Sequence, residues 1–163
     1  AAEGALRLAR KTGGNRVLPA GWEPPCTQPV ETADIVLVDD DEALLSLLVP
    51  SLHTRGYRTV CFQDGEQALR RLGGPDPQLR TKLILLDVEL PGMDGFAVLR
   101  RLSADGVLAE SLVVMLTVRS GESEVVSALE AGAFDHVAKP FSLPVLMQRV
   151  RRAIEVQLSR SNC

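Results

Sequence analysis

The chain contains 163 residues, of which 45% are hydrophobic and 24% are charged. This length and composition are typical of one globular domain whose core needs neither disulfides nor a metal. The net charge of −3 argues against a nucleic-acid-binding surface spread over the whole chain. Three cysteines, far apart and without metal-site spacing, favour a reducing environment, so we expect a cytoplasmic protein. No apolar run suggests a membrane span or a secretory leader, and we expect no membrane contact.

Residues 1–33 differ from the rest of the chain. They carry four basic and three acidic residues, whereas residues 34–163 carry 14 basic and 18 acidic residues. Two adjacent glycines interrupt the short helical stretch near the start, and four prolines follow between positions 19 and 29. We therefore predict a linker or extended arm over residues 1–33 and one folded domain over residues 34–160.

Periodic patterns begin at Ile35 and alternate between strands and helices. Short apolar runs predict buried strands at 35–38, 57–62, 83–86, 112–116 and 134–138. Amphipathic stretches predict helices at 42–55, from 64 to about 72, at 95–103, at 123–131 and from Ser142 onward. Five β-α repeats of this kind predict a parallel sheet with helices on both faces, which is an α/β fold with right-handed crossovers.

Polar side chains follow four of the predicted strands where each strand ends. Asp39 and Asp40 follow the first strand, Asp87 the third, Thr117 the fourth and Lys139 the fifth. Because parallel strands end at the same edge of a sheet, where ligands of such folds bind, we expect these residues to meet. Clustered carboxylates repel one another unless a cation relieves them, and oxygen ligands suit Mg²⁺. A cation, an ammonium and a hydroxyl around one carboxylate suit transfer of a phosphoryl group to that carboxylate, here Asp87.

Four segments carry a resemblance to a known family. They read Val36-Leu37-Val38-Asp39-Asp40-Asp41, then Leu85-Leu86-Asp87-Val88-Glu89-Leu90-Pro91-Gly92-Met93-Asp94-Gly95, then Met115-Leu116-Thr117, and finally Ala138-Lys139-Pro140-Phe141. In this order, one after each of strands 1, 3, 4 and 5, they resemble the receiver domain of two-component response regulators, related to the chemotaxis regulator. The resemblance covers residues 35 to about 154.

The resemblance implies a flavodoxin-like (βα)5 three-layer sandwich with strand order 2-1-3-4-5. It implies that Asp87 accepts a phosphoryl group from a sensor histidine kinase or a phosphotransfer protein. The metal site it implies holds Mg²⁺ or Mn²⁺ through Asp40, Asp87 and the backbone carbonyl of Glu89, with Asp39 holding a metal-bound water. Such a domain is not a turnover enzyme, although it releases its own phosphoryl group.

By the same resemblance, Thr117 and Lys139 contact the phosphoryl oxygens, and the Lys139–Pro140 peptide is cis. Two residues depart from the family pattern. Val118 is bulkier than the usual small residue after the threonine and would restrict access to the phosphoryl group. His136 stands where the family has a switch aromatic, and it is either a switch residue together with Thr117 or an edge-strand residue with no switching role.

A receiver would report phosphorylation through a homodimer or a docking partner on the surface of the fourth helix, fifth strand and fifth helix. We expect no direct nucleic acid binding by this domain. Two alternatives belong to other classes. A phosphatase or phosphotransferase that forms an aspartyl phosphate would usually carry an aspartate at the position of Glu89, and a flavin-binding domain would need a phosphate loop where Asp39 and Asp40 lie.

Overall fold

The computed structural model describes residues 29–118 and 121–161. Most of the predicted arm at 1–33 lies outside the described residues. Its last three residues, Glu31 to Ala33, belong to the first strand, which begins four residues before the predicted start at Ile35. Within the described ranges, no helix is long and apolar enough to cross a membrane.

Strands and helices alternate along the chain as the sequence predicts. The strands are β1 (Glu31–Val38), β2 (Thr59–Phe62), β3 (Leu79–Asp87), β4 (Leu112–Thr117) and β5 (Asp135–Ala138). The helices are α1 (Glu42–Thr54), α2 (Gly65–Leu72), α3 (Gly95–Ala104), α4 (Glu122–Glu130) and α5 (Leu143–Ser161), and a short 3₁₀ turn lies at Val107–Ala109.

All strand pairs are parallel, and the sheet has the order β2-β1-β3-β4-β5. The predicted flavodoxin-like topology is therefore confirmed. Helices α1 and α5 pack on one face of the sheet, where Leu48 and Val150 are fully buried. Helices α2, α3 and α4 cover the other face, where Ala68 and Leu99 are fully buried and Ala128 is nearly so. Both faces of the central strands are thus covered, which explains their uninterrupted apolar runs.

Aspartates cap the amino-terminal ends of three helices. The carboxylate of Asp41 accepts a hydrogen bond from Leu44 N (3.2 Å), that of Asp64 from Gln67 N (2.8 Å) and that of Asp94 from Ala97 N (2.8 Å). Each bond satisfies a backbone donor in the first turn of a helix. The caps at Asp41 and Asp94 matter for the site, because they end the two loops that leave the carboxyl edge of the sheet after β1 and β3.

Candidate metal centre and nucleophile

Three carboxylates meet at the carboxyl edge of the sheet. Asp39 and Asp40 follow β1, and Asp87 ends β3, its neighbour in the sheet. Each of the three offers an oxygen that lies within 4.8 Å of those of the others. Asp39 and Asp87 are only 2% and 5% exposed, whereas Asp40 is exposed. The cluster therefore has a buried floor and one carboxylate open to solvent.

Lys139 brings a cation to the buried carboxylates. It follows β5, and its Nζ lies 2.9 Å from Asp39 Oδ2 and 3.4 Å from Asp87 Oδ1. Its side chain is 17% exposed. One ammonium faces three carboxylates, so an excess of negative charge remains at this edge.

The backbone holds both buried carboxylates in place. Asp41 N donates to Asp39 Oδ1 (2.9 Å) and Glu89 N donates to Asp87 Oδ1 (3.2 Å). Gly95 packs directly on this loop: its N–H donates to the carbonyl of Val88 (2.8 Å), and a Cβ added at Gly95 would lie 2.3 Å from the backbone oxygen of Asp87. The loop after β3 can close on Asp87 only because residue 95 has no side chain.

Thr117 reaches the same edge as the last residue of β4. It is 4% exposed, and its Cα is paired with that of Ala138, the residue before Lys139. Its carbonyl accepts a hydrogen bond of 2.6 Å from Lys139 N, while Asp87 is paired with Leu116 on the other side. Thr117 therefore lies between the strand of Asp87 and the strand that leads to Lys139.

His136 lies further back on β5, paired with Met115. The ring is half-buried, and its Nε2 is buried with no hydrogen-bond partner in the described part of the chain. Its backbone N donates to Asp135 Oδ1. The other departure from the family pattern, Val118, is 55% exposed directly after Thr117.

The electrostatics mark Asp87 as the unusual carboxylate. Burial and the negative charge of Asp39 raise the pKa of Asp87 to about 6, and these effects outweigh Lys139 and the Glu89 N–H. Burial by itself lowers the pKa of Lys139, but its hydrogen bond to Asp39 and the charges of both carboxylates raise it overall. Lys139 therefore stays positively charged. The Asp87 carboxylate is destabilised in its ionised form, and a bound cation or a proton would stabilise it.

A cavity of about 400 Å³ opens beside the carboxylates. Asp40 and Glu89 line it on the side of the cluster, and Pro91 and Phe96 line it further out. The cavity leaves the exposed side of the carboxylate cluster accessible from solvent.

The donor set fits a small hard cation. Three carboxylates with oxygens this close, two of them buried, match the oxygen ligands and open water positions of Mg²⁺ sites. Burial and the charge of Asp39 raise the pKa of Asp87, and a bound cation would oppose both effects because it stabilises the ionised carboxylate.

The parallel sheet of order 2-1-3-4-5, with an acidic cluster and a lysine at its carboxyl edge, has the architecture of the receiver domains of signalling proteins. The comparison with protein families agrees, because the model of the response regulator receiver domain matches residues 35–151. The chain belongs to the response regulator receiver family.

Individual relatives point to the same family. The DNA-binding response regulator MtrA of Mycolicibacterium smegmatis is 43% identical over 117 residues, which cover 72% of this chain and 48% of that protein. The chain spans about half the length of the curated relatives it matches.

Solved structures agree as well. The receiver domain of the sensor histidine kinase PA1611 from Pseudomonas aeruginosa, with a magnesium ion coordinated in its active site cleft, is 29% identical with a TM-score of 0.65, over 76% of this chain and 98% of that one. DrrB, a Thermotoga maritima OmpR/PhoB homologue, is 30% identical with a TM-score of 0.64, over 78% of this chain and 54% of that one.

The structure thus brings Asp39, Asp40, Asp87 and Lys139 together and places Thr117 at the same edge. His136 is not in contact with the carboxylates by any hydrogen bond or ion pair within the described ranges. The turn-like sequence around Asp94 predicts that Gly95 supplies backbone freedom. This prediction is wrong, because Gly95 has no positive φ and instead packs closely on Asp87. Only three-dimensional contact shows this, since a glycine after Asp94 looks the same in sequence in either role.

Proposed function

We propose that this domain is phosphorylated on Asp87 in two-component signal transduction, with a sensor histidine kinase or a phosphotransfer protein as donor. The observation that carries the proposal is the position of Asp87. It is a buried carboxylate at the end of a central strand, 3.4 Å from a lysine and within ligand distance of two further carboxylates. A structural role alone would not require so costly an arrangement.

The proposed reaction is a transfer between two side chains. An oxygen of Asp87 forms a bond to phosphorus, the bond from phosphorus to the donor histidine nitrogen breaks, and that nitrogen keeps the electron pair. Lys139 stabilises the charge on the phosphoryl oxygens, and the hydroxyl of Thr117 donates a hydrogen bond to one of them. The product is an aspartyl phosphate, which water later hydrolyses, so the domain does not turn over a substrate.

Asp39, Asp40, Asp87 and the backbone carbonyl of Glu89 would hold Mg²⁺, or Mn²⁺. A magnesium ion in the related PA1611 receiver domain supports this assignment. When bound, the cation offsets the negative charge that the carboxylates and the phosphoryl group share.

We propose that Thr117 and His136 form the switch. A threonine hydroxyl drawn toward the phosphoryl group leaves space behind it on the side of β5, and a ring with an unpaired, buried nitrogen is free to reorient. The response would reach the surface formed by α4, β5 and α5. On this surface Val126 and Leu129 are about half exposed, and Arg149 pairs with Asp135 at 2.8 Å.

Exposed apolar side chains next to ion pairs suit a homodimer through the α4-β5-α5 surface or an equivalent docking partner. We assign no nucleic acid binding to the receiver domain itself, although relatives such as MtrA are named DNA-binding regulators. We propose a receiver domain over residues 34–160, extended to residue 31 because β1 begins at Glu31. We propose the residues before β1 as the preceding linker and the cytoplasm as the location of the domain.

Mass spectrometry of the intact protein tests the phosphoacceptor. With Mg²⁺ and acetyl phosphate, the wild-type chain gains the mass of one phosphoryl group, and Asp87→Asn does not. Asp76→Asn, at an exposed loop carboxylate, is the matched control and gains it normally. A gain that persists in Asp87→Asn would refute the assignment, and sustained release of phosphate from small esters would favour a phosphatase.

A further inference from the structure

The amino ends of β1 and β3 project beyond the rest of the sheet. Glu31 to Ala33 pair with Leu79 to Thr81, but the pairing of β1 with β2 starts only at Ile35 and that of β3 with β4 only at Leu83. Among the described strands, this two-stranded extension therefore has no neighbour on either side. An isolated pair of strands is marginally stable in water, so we expect another part of the molecule to pack against it.

A cavity of about 590 Å³ lies beside this extension, at the edge of the sheet opposite to Asp87. The extension forms one wall, the segment before β4 another and the end of α5 a third. Hydrogen bonds tie these walls together. Gln157 on α5 is 4% exposed and donates to the carbonyl of Glu110, and Ser111 Oγ donates to the carbonyl of Thr81 (2.6 Å). The walls are therefore fixed by the domain itself, and none of the residues proposed for phosphorylation lines the cavity.

The lining combines aliphatic surface with guanidinium groups. Ala33 and Ala109 contribute methyl groups, and Arg80 and Arg160 contribute long side chains with apolar methylene stems. Arg80 Nε lies 3.9 Å from a Glu110 carboxylate oxygen, and a guanidinium in such an ion pair still presents its flat face to a ring. An aromatic ring packs on methylene groups and stacks on a guanidinium. The lining therefore suits an aromatic side chain and needs no unpaired charge.

We infer that the residues immediately before β1 fold back into this cavity, with Trp22 as the side chain that fills it. Trp22 is the only tryptophan of the chain and lies ten residues before Thr32, which is in the cavity wall. Ten extended residues span up to about 30 Å, so the connection is long enough for the ring to reach the cavity. Three prolines in between, Pro24, Pro25 and Pro29, reduce the conformational entropy that is lost when the segment docks.

The charge of this segment complements the charge of the cavity. Glu23, next to Trp22, is the only charged residue between positions 17 and 28. Three basic residues and one acidic residue line the cavity, namely Arg80, Lys82, Arg160 and Glu110. Arg160 has no ion-pair partner in the described part of the chain, and the Glu23 carboxylate would supply one. Residues 1–16 carry four basic residues and one acidic residue, so like charges disfavour that earlier part as the occupant.

Fluorescence of the full chain tests the inference, because all tryptophan emission comes from Trp22. We expect the emission maximum at a shorter wavelength than in a peptide of residues 17–28, and slower quenching by acrylamide, because a packed indole is shielded from water and from the quencher. Asp87→Asn should give the same emission and the same quenching. This result therefore stands or fails independently of the phosphorylation proposal.

Two charge reversals on α5 locate the docking site. Arg160→Glu removes a guanidinium from the cavity and places a second carboxylate beside Glu23. We expect the equilibrium constant for docking to fall about fivefold, so that quenching of Trp22 approaches that of the peptide. Arg152→Glu makes the same change at an exposed position of the same helix that does not line the cavity. This control should leave Trp22 as well shielded as in the wild type.

Three results would overturn the inference. Trp22 of the full chain may be quenched as fast as the peptide, which would show that it does not dock. Equal effects of Arg160→Glu and Arg152→Glu would place the docking site outside this cavity. Shielding that increases with protein concentration would assign the contact to a second copy of the chain.

Discussion

Lys139 is held more closely by Asp39 than by Asp87. Its Nζ lies 2.9 Å from Asp39 Oδ2 and 3.4 Å from Asp87 Oδ1. Asp39 therefore positions the cation beside Asp87, the carboxylate proposed to react. Asp39 also raises the pKa of Asp87 by its charge. One side chain thus has two opposed effects: it fixes a favourable cation and adds an unfavourable charge.

Asp39→Asn should separate these effects. We expect Mg²⁺ affinity to fall at least about tenfold, because a ligand charge is lost, and phosphorylation from acetyl phosphate to slow in parallel. In metal-free protein the pKa of Asp87 should fall, because a neighbouring negative charge is removed. Calorimetric titration with Mg²⁺ and an NMR pH titration of the Asp87 carboxyl measure the two quantities. Wild-type Mg²⁺ affinity in Asp39→Asn would contradict the metal assignment, and Asp76→Asn provides the unaffected comparison.

The raised pKa of Asp87 makes stability depend on pH in a specific direction. The pKa of Asp87 in the folded state, about 6, lies above the ordinary aspartate value of 3.8, so the folded state binds the proton more tightly than the unfolded state does. This carboxyl therefore lowers the free energy of unfolding as the pH rises from about 4 to about 6, and the loss is complete above that range.

Asp87→Asn removes this loss. In EDTA at pH 8 we expect the variant to be more stable than the wild type by about 3 kcal/mol, with the difference shrinking toward pH 4. Urea unfolding at several pH values measures it. Added Mg²⁺ should stabilise the wild type more than the variant. If the variant is less stable than the wild type at pH 8 without metal, the ionised Asp87 carboxylate does not destabilise the folded state and the prediction is wrong.

Gly95→Ala tests the close packing of the loop on Asp87. The added Cβ would lie 2.3 Å from the backbone oxygen of Asp87 and 2.7 Å from Val88 Cα. Because both contacts are backbone, the loop has to move, and we expect a loss of stability of about 2–4 kcal/mol with a large loss of phosphorylation. Gly92→Ala is the matched comparison. There φ is +78° and nothing lies within 4 Å of the added carbon, so only backbone strain of about 1 kcal/mol is expected. Equal effects of the two variants would argue against close packing.

A charged side chain on the proposed dimer surface should prevent dimerisation. Val126→Asp and Leu129→Asp introduce charges on α4 where the side chains are 45% and 48% exposed. We expect both to abolish phosphorylation-dependent dimerisation without loss of phosphorylation, because a charge in a buried interface is costly. Light scattering after size-exclusion chromatography measures the mass. Leu47→Asp, equally exposed on α1, should dimerise normally. Dimerisation of the α4 variants would place the interface elsewhere.

Local sequence patterns were sufficient for most of the fold. The apolar runs of β1 and β3 are buried on both faces, and the caps at Asp41 and Asp94 depend on hydrogen bonds that span three residues. The amino-terminal extensions of β1 and β3 were not predictable, because Glu31 to Ala33 and Leu79 to Thr81 include polar residues and are ordered by pairing with each other.

By itself, the sequence determined the alternation of strands and helices, the family, and which side chains reach the carboxyl edge. These follow from short-range periodicity and from the common direction of parallel strands. Only the tertiary structure decided that Lys139 lies nearer Asp39 than Asp87, that Gly95 is needed for contact rather than for its dihedral angles, and that Gln157 lines a basic cavity at the far edge. Each of these depends on distances between residues far apart in the chain, and packing sets those distances only when all the elements are in place.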